Sequence, residues 1–421
     1  MTSFKYSLRF FACELLVLIF QLMALALLFF SGDELIITKE ITFYAGLILV
    51  LFIGRRLLRR VSKGDNYIYL ITELLVTIGI MTIYRLDKES GMKQGVWLVI
   101  SIFAYFAVYS FLKLFRNPQK YFYLYIIVSY ALFFLTLILG NRIKGAVNWI
   151  NFGIISFQPA ELTKILLVFT LASYYNNKDI AKIQGKDKYN SQVEKWGAYF
   201  ISFLVYSYIG LLFLQRDLGM AVIFFIVLMT IQYVYEDDRK VLLMNTGVAA
   251  FGALLGVKLF NHVRVRIDAW LDPLKYVDGK GYQITQSQIA ISEGGLFGTG
   301  VGLGYPYFIP AAETDFIFSS ICEEMGLFMG VAIVLMFLIL VYRGVKIGLM
   351  VKDKFLRILS IGLSAMLGFQ VIIILGGVIK MIPMTGITLP FVSYGGSSLL
   401  MTYVLIAILQ YVSDEAVEDN A

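Results

Sequence analysis

The stretch PAAETDFIFSSICEE, Pro310 to Glu324, opens an apolar run with two acids, Glu313 and Asp315, and closes with two more, Glu323 and Glu324. A charge at the centre of a membrane span costs about 2.5–3.5 kcal/mol on insertion scales, so acids there face a protein interior or a water-filled cavity. A carboxylate in that setting can take the proton of a hydroxyl that attacks an electrophile. Read as one helix from Asp315, the run puts Ser319, Cys322 and Gly326 on the face of Asp315, with Glu323 beside it. Asp315 then stands at the outer mouth of a small, polar face, and Glu323 and Glu324 lie roughly 12 Å in, at 1.5 Å per residue. The plainer alternative is that Thr314 or Asp315 caps the helix.

Three other stretches carry polar residues densely. In GAVNWINFGIISFQPAELTK, Gly145 to Lys164, Gln158-Pro159 reads as a helix start with Pro159 at the first helical position. Glu161 and Lys164 are then i and i+3 on one side, close enough to pair, either as a structural ion pair or as part of a substrate site. The segment 261–314 is too long for a connector and too rich in Trp, Tyr, Ile and Leu for disorder. Its His262, Arg264 and Arg266, followed by Trp270, suit either interfacial anchoring or a cradle for a lipid-linked phosphate, to which arginine makes forked contacts. Its glycines, Gly294 to Gly304, form neither nucleotide-loop spacing, GxGxxG or GxxxxGK[ST], and read as tight turns. In IPMTGITLPFVSYGGSS, Ile382 to Ser398, Gly386, Pro390, Gly395 and Gly396 crowd the start of the last apolar run, as close helix packing or a broken helix start would require.

The elements that must position these residues are membrane helices. Hydrophobic residues make up 59% of the 421 and charged residues 15%, against about 25% charged in soluble domains. Apolar runs of span length recur about twelve times between residues 10 and 412. Lys and Arg gather at the N-terminus, at 55–63, 113–120, 178–195, 239–240 and 343–357, so the positive-inside rule places both termini in the cytoplasm and 261–314 outside. The formal charge of +7 is therefore topology rather than a nucleic-acid surface. The first apolar stretch lacks a cleavage site and reads as a retained anchor. Cys13 and Cys322 offer no disulfide framework, the single His262 no histidine-based metal cluster, and 413–421 reads as a solvated acidic tail.

The stretches above, together with LQRDLG (Leu214 to Gly219) and GYQITQSQIAISEGGLFGTGVG, resemble the signature blocks of the SEDS family, the shape, elongation, division and sporulation proteins typified by RodA, FtsW and SpoVE. They occur in family order across most of the chain. The resemblance implies an all-α polytopic membrane protein: a ten-span core over 66–412, about two extra spans within 1–65, and the tail. It implies a peptidoglycan glycosyltransferase that polymerises lipid II at the outer face of the bacterial cytoplasmic membrane, among membrane lipids and with a class B penicillin-binding protein as its transpeptidase partner.

By the same resemblance Asp315 is the essential aspartate, and Trp149, Gln158, Glu161 and Lys164 fall on the family's substrate-binding block. Gln286 and Ser287, then Ser393 and Tyr394, fall on the later blocks, and Arg264 and Arg266 are candidates to hold the diphosphate. A divalent cation (Mg or Mn) is implied by the family, although no dedicated site is visible in the sequence. The chain departs from the pattern at Asn148, where Arg is common, at Arg216, where Pro is usual, and at Glu313, where a neutral or cationic residue is commoner. Two rivals make other demands: a lipid II translocase needs no base at Asp315, and a non-catalytic scaffold tolerates its loss.

Overall fold

The structure is a computed structural model that describes residues 2–30, 38–115, 117–143, 146–151, 153, 156–183, 191–279 and 281–420. The lysines between 184 and 190, expected in a cytoplasmic loop, lie outside the described residues.

Fourteen α-helices make the fold among the described residues: α1 Thr2–Phe30, α2 Thr38–Val61, α3 Tyr67–Leu86, α4 Lys88–Leu114, α5 Phe122–Leu139, α6 Pro159–Ile183, α7 Ser191–Gln215, α8 Leu218–Tyr235, α9 Arg239–Leu259, α10 Asn261–Leu271, α11 Tyr282–Gly294, α12 Ile317–Met350, α13 Lys354–Val378 and α14 Gly396–Glu418. Eleven are long and apolar enough to cross a membrane. The twelfth expected span is α6, which begins at Pro159 and carries Glu161 and Lys164 in its first two turns. One feature was not expected: a small antiparallel sheet of β1 Asn141–Ile143, β2 Ala146–Asn151 and β3 Ser156–Phe157 joins α5 to α6.

Burial sorts the helices. α3 is 83% buried along its apolar window and α14 is 78%, whereas α5 and α9 are 17%, so the first two are central pillars and the last two face outward. A helix hydrophobic all round with a small buried share is one that lipid covers. α14 packs on α4, α12 on α13, α5 on α6, and α11 lies across the beginning of α12.

The segment 261–314 is folded, as its aromatic content required. It contains α10, a 3-10 turn at Leu274–Tyr276, α11, and a glycine-rich loop leading to a second 3-10 turn at Pro306–Phe308. That loop repairs a break in α12, where Gly326 has φ 80° and ψ 171°. The N–H groups of Thr299 and Gly300 donate to the carbonyls of Glu323 and Glu324 at 2.9 and 3.0 Å, and those of Leu327 and Phe328 donate to Gly295 and Leu296 at 2.9 and 3.2 Å. Backbone freed by a break at this depth needs such partners. Gly298 permits the approach, because a β-carbon there would overlap the Glu324 carbonyl.

The break falls just after Glu323 and Glu324. Arg343, paired with Asp65 at the opposite end of the molecule, lies twenty positions on, about 30 Å of helix, which is the thickness of the hydrocarbon core.

The expected solvated tail is corrected. α14 continues to Glu418, and Ser413 and Asp414 are buried. Asp414 accepts from Ser62 Oγ at 2.6 Å, from the Gly64 N–H at 2.7 Å and from Tyr109, and it pairs with Lys113 at 2.9 Å.

Candidate functional site

The site is assembled on the segment between α13 and α14, residues 379–395, which has no regular structure. Its irregular backbone leaves carbonyls and N–H groups that the surrounding elements satisfy. Arg266 Nη1 donates to the carbonyls of Thr385 and Met384 at 2.7 and 3.2 Å, and Trp270 Nε1 to that of Lys380 at 3.1 Å, which ties down α10. Ser287 Oγ, from α11, donates to the carbonyl of Val378 at 3.2 Å and sits 2.7 Å from Ser319 Oγ. From α4, Gln94 bridges the Ser393 carbonyl and the Gly395 N–H, each at 3.2 Å.

This segment also fixes Asp315. Ser393 Oγ donates to the Thr314 carbonyl at 2.7 Å, and the Tyr394 N–H donates to the Glu313 carbonyl at 2.8 Å. Asp315 lies half-buried in the turn before α12, which starts at Ile317 with Phe316 at its N-cap and no side-chain cap. Asp315 thus precedes the helix and is not its N-cap residue, and it does not share a helical face with Ser319 and Cys322. Ser319 is instead spent on Ser287, and Cys322 is fully buried.

Arg266 and Asp315 meet across Gly386. A β-carbon at 386 would stand 3.5 Å from Arg266 Nη2 and 3.7 Å from Asp315 Oδ2. With φ +74° the position favours glycine, so the space between the two charged groups stays open. Burial lowers the pKa of Arg266, while Asp315 and Asp217 raise it. His262 titrates below its ordinary value because of burial and the nearby Arg216 and Arg266.

The three basic residues that alternate in sequence separate on the helix. At 100° per residue His262 and Arg266 share a face and Arg264 points away, exposed, with Nη2 on the Lys258 carbonyl at 3.3 Å. Arg264 is the expected diphosphate ligand that the structure does not bring to the site.

Asp217 extends the charged row. It caps α8 by accepting from the Met220 N–H at 3.1 Å, and its other oxygen accepts from Asn148 Nδ2 at 3.1 Å and Gln158 Nε2 at 2.8 Å. Burial raises its pKa, and the hydrogen bond from Asn148 opposes the rise. Glu161, the next charge, pairs with Lys164 at 2.5 Å, both about 2% exposed, and Lys164 Nζ also donates to Gln370 Oε1 at 3.0 Å. Gln370 Nε2 in turn donates to the Thr388 carbonyl at 3.0 Å, back on the 379–395 segment. Trp149 is half-buried on β2, and strand alternation turns it from the Asn148 that meets Asp217.

Asp217 and Gln370 were given no role from the sequence, although LQRDLG contained the first. Their signal was an acid and an amide at or within apolar runs. Two departures from the family pattern meet here. Arg216 has φ +62°, which proline, fixed near −65°, does not adopt. The cation missing at Asn148 reappears at Arg216, beside Asp217 and close enough to depress His262. Among the described residues no three or more His, Cys, Asp or Glu side chains gather as metal ligands. Arg266 and Lys164 interrupt the acids of the row, so it does not form a protein cage for the implied divalent cation.

Fold and site together define a polytopic helical membrane protein whose charged row lies beneath a folded loop at one end of the bundle. The chain belongs to the family described as cell cycle proteins, FtsW, RodA and SpoVE, which it matches over residues 65–418. It is 33% identical over 400 residues to peptidoglycan glycosyltransferase RodA of Mycobacterium tuberculosis, covering 90% of this chain and 84% of that protein. It is 30% identical over 369 residues to stage V sporulation protein E of Bacillus subtilis, covering 84% and 97%. Its fold resembles, with a TM-score of 0.67 at 27% identity over 85% of this chain and 99% of the other, a chain of a structure described as the structural coordination of polymerization and crosslinking by a peptidoglycan synthase complex.

Proposed function

We propose that the chain is a peptidoglycan glycosyltransferase that polymerises lipid II at the outer face of the bacterial cytoplasmic membrane, with Asp315 as general base. The observation that carries the role of Asp315 is its place in the turn before α12, pinned by Ser393 and Tyr394 and facing Arg266 across Gly386. A hydroxyl of the acceptor sugar attacks the anomeric carbon of the donor. As the new C–O bond forms, the bond to the diphosphate breaks and the hydroxyl proton passes to the Asp315 carboxylate. The leaving diphosphate takes the bonding electrons and meets Arg266, with Lys164 further along the row. In-line displacement by one base inverts the anomeric centre. A second carboxylate is unnecessary, since the diphosphate leaves without protonation, unlike the leaving group of a glycosidase.

The likeness to a chain of a peptidoglycan synthase complex supports a cross-linking partner, which we assign as a class B penicillin-binding protein. The test is polymerisation of purified lipid II by the purified protein, alone and with that partner. Asp315→Asn keeps the shape of the turn but cannot take the proton, so the rate falls by roughly 10²–10⁴-fold while lipid II binding persists. Polymerisation by the Asn variant within a few-fold of the parent moves the base to Glu313 or Glu323. Transbilayer movement of lipid II with no polymer formed replaces the reading by a translocase.

A further inference from the structure

A second concave site lies on the same outer loop, away from the charged row. It is a cavity of ≈ 360 Å³ walled by one stripe of α11, Tyr282, Gln286 and Glu293, and by Phe308 of the second 3-10 turn and Tyr305 just before it, with Glu323 lining it. Glu323 is 2% exposed. Its Oε1 accepts the Tyr305 N–H at 2.6 Å, and its Oε2 has no hydrogen-bond partner. Gly304 keeps the approach clear, since a β-carbon there would stand 3.1 Å from Oε1. A buried carboxylate oxygen without a donor costs free energy that a ligand's N–H or O–H can recover.

The chemistry of the walls restricts that ligand. Glu323 and the exposed Glu293 repel a diphosphate, which belongs with Arg266 and Lys164. Tyr305 and Phe308 expose 57% and 53% of their surface at the mouth, their ring centroids 6.3 Å apart, and offer flat apolar faces beside polar groups. Hydroxyl and amide donors on a ring with an apolar face are the properties of an acetamido sugar. We propose that this cavity is a binding subsite for an uncharged acetamido-sugar unit of the glycan strand, held by Glu323 and Gln286 and stacked on Tyr305 or Phe308. The proposal rests on the glycosyltransferase reading for the identity of the sugar. The loop from Tyr305 leads directly to Asp315, so a strand seated here is in reach of the same loop that carries the base.

The test uses the full chain and an uncharged tetrasaccharide of GlcNAc, free of lipid and diphosphate, with binding followed by calorimetry and saturation-transfer NMR. The wild-type chain binds it, Glu323→Gln and Gln286→Ala each weaken binding tenfold or more, Asp315→Asn leaves it unchanged, and inorganic diphosphate does not compete. Gln286 is only partly buried, so its alanine variant reports on binding even where Glu323→Gln lowers the thermal midpoint. Equal binding by both cavity variants, competition by diphosphate, or no binding by the wild type overturns the subsite. So does a loss confined to co-purification with the transpeptidase, which makes the cavity a protein contact. Failure of lipid II polymerisation with these binding results intact removes the enzymatic reading and leaves the saccharide site standing.

Discussion

At the residue scale the row Asp315, Arg266, Asp217, Glu161, Lys164 raises the question of which charges serve chemistry and which serve folding. Removing one member of a buried pair leaves a bare charge and costs on the order of 3–5 kcal/mol, whereas replacing both is often neutral. Lys164→Ala is therefore expected to lower the thermal midpoint, and the double variant Glu161→Gln with Lys164→Met to restore it. If the pair serves polymerisation, the double variant stays folded and inactive; full activity in it makes the pair structural. His262 supplies an independent reading of the same electrostatics, because it is the only histidine among the 421 residues and gives one imidazole signal. Burial with Arg216 and Arg266 holds its pKa below about 6.5. NMR titration is expected to find it neutral down to lower pH than a free imidazole. Arg266→Gln raises the midpoint towards the ordinary value, and an unchanged midpoint removes Arg266 from its surroundings.

At the scale of elements, α1 and α2 lie outside the family match yet are wired into the matched core. Arg55 of α2 is 4% exposed and pairs with Glu73 of α3 at 3.2 Å, and Glu73 is fully buried. Glu14 of α1 holds Arg59 at 2.8 Å and approaches Arg55 at 3.9 Å. Without the two helices Glu73 loses its counter-charge in the middle of a central pillar. Arg55→Ala is expected to destabilise the detergent-solubilised protein by on the order of 3–5 kcal/mol, the cost of an uncompensated buried charge. Adding Glu73→Gln recovers most of that loss. Thermal unfolding followed by tryptophan fluorescence checks both, and equal midpoints for the wild type and Arg55→Ala refute the coupling.

At the scale of the molecule, two polar clusters stand at opposite ends. The site occupies one. At the other, Asp414 and Asp65 knit the start of α3 to the ends of α4, α12 and α14 through Ser62, Lys113 and Arg343. The basic clusters 55–63 and 343–357 lie at this second end, so the positive-inside rule predicts that it is cytoplasmic and the site external. In a background lacking Cys13 and Cys322, a cysteine at exposed Lys275 is expected to react with an impermeant reagent in intact cells, and one at exposed Lys346 only after permeabilisation. The reverse pattern inverts the topology and places the site in the cytoplasm.

What the sequence by itself determined is the part that hydropathy and local chemistry control. A span must satisfy its own backbone and present apolar side chains, so twelve helices were legible, as was the start of α6 at Pro159. The Glu161–Lys164 pair followed from i, i+3 geometry, and the folded state of 261–314 from its aromatic content. Only the tertiary structure decided where Asp315 ends, because the Ser393 hydroxyl and the Tyr394 N–H, about 80 positions away, bind the carbonyls of Thr314 and Glu313 and hold it in a turn instead of a helix. It alone separated Arg264 from Arg266, since an alternating pattern means opposite faces on a helix. It broke α12 at Gly326, just beyond Glu323 and Glu324, and satisfied the break with a distant glycine loop. It also recruited Asp217 and Gln370, whose partners Asn148, Gln158, Lys164 and Thr388 belong to other elements. Contacts between distant segments carry no local periodicity, and so leave no mark that spacing alone can reveal.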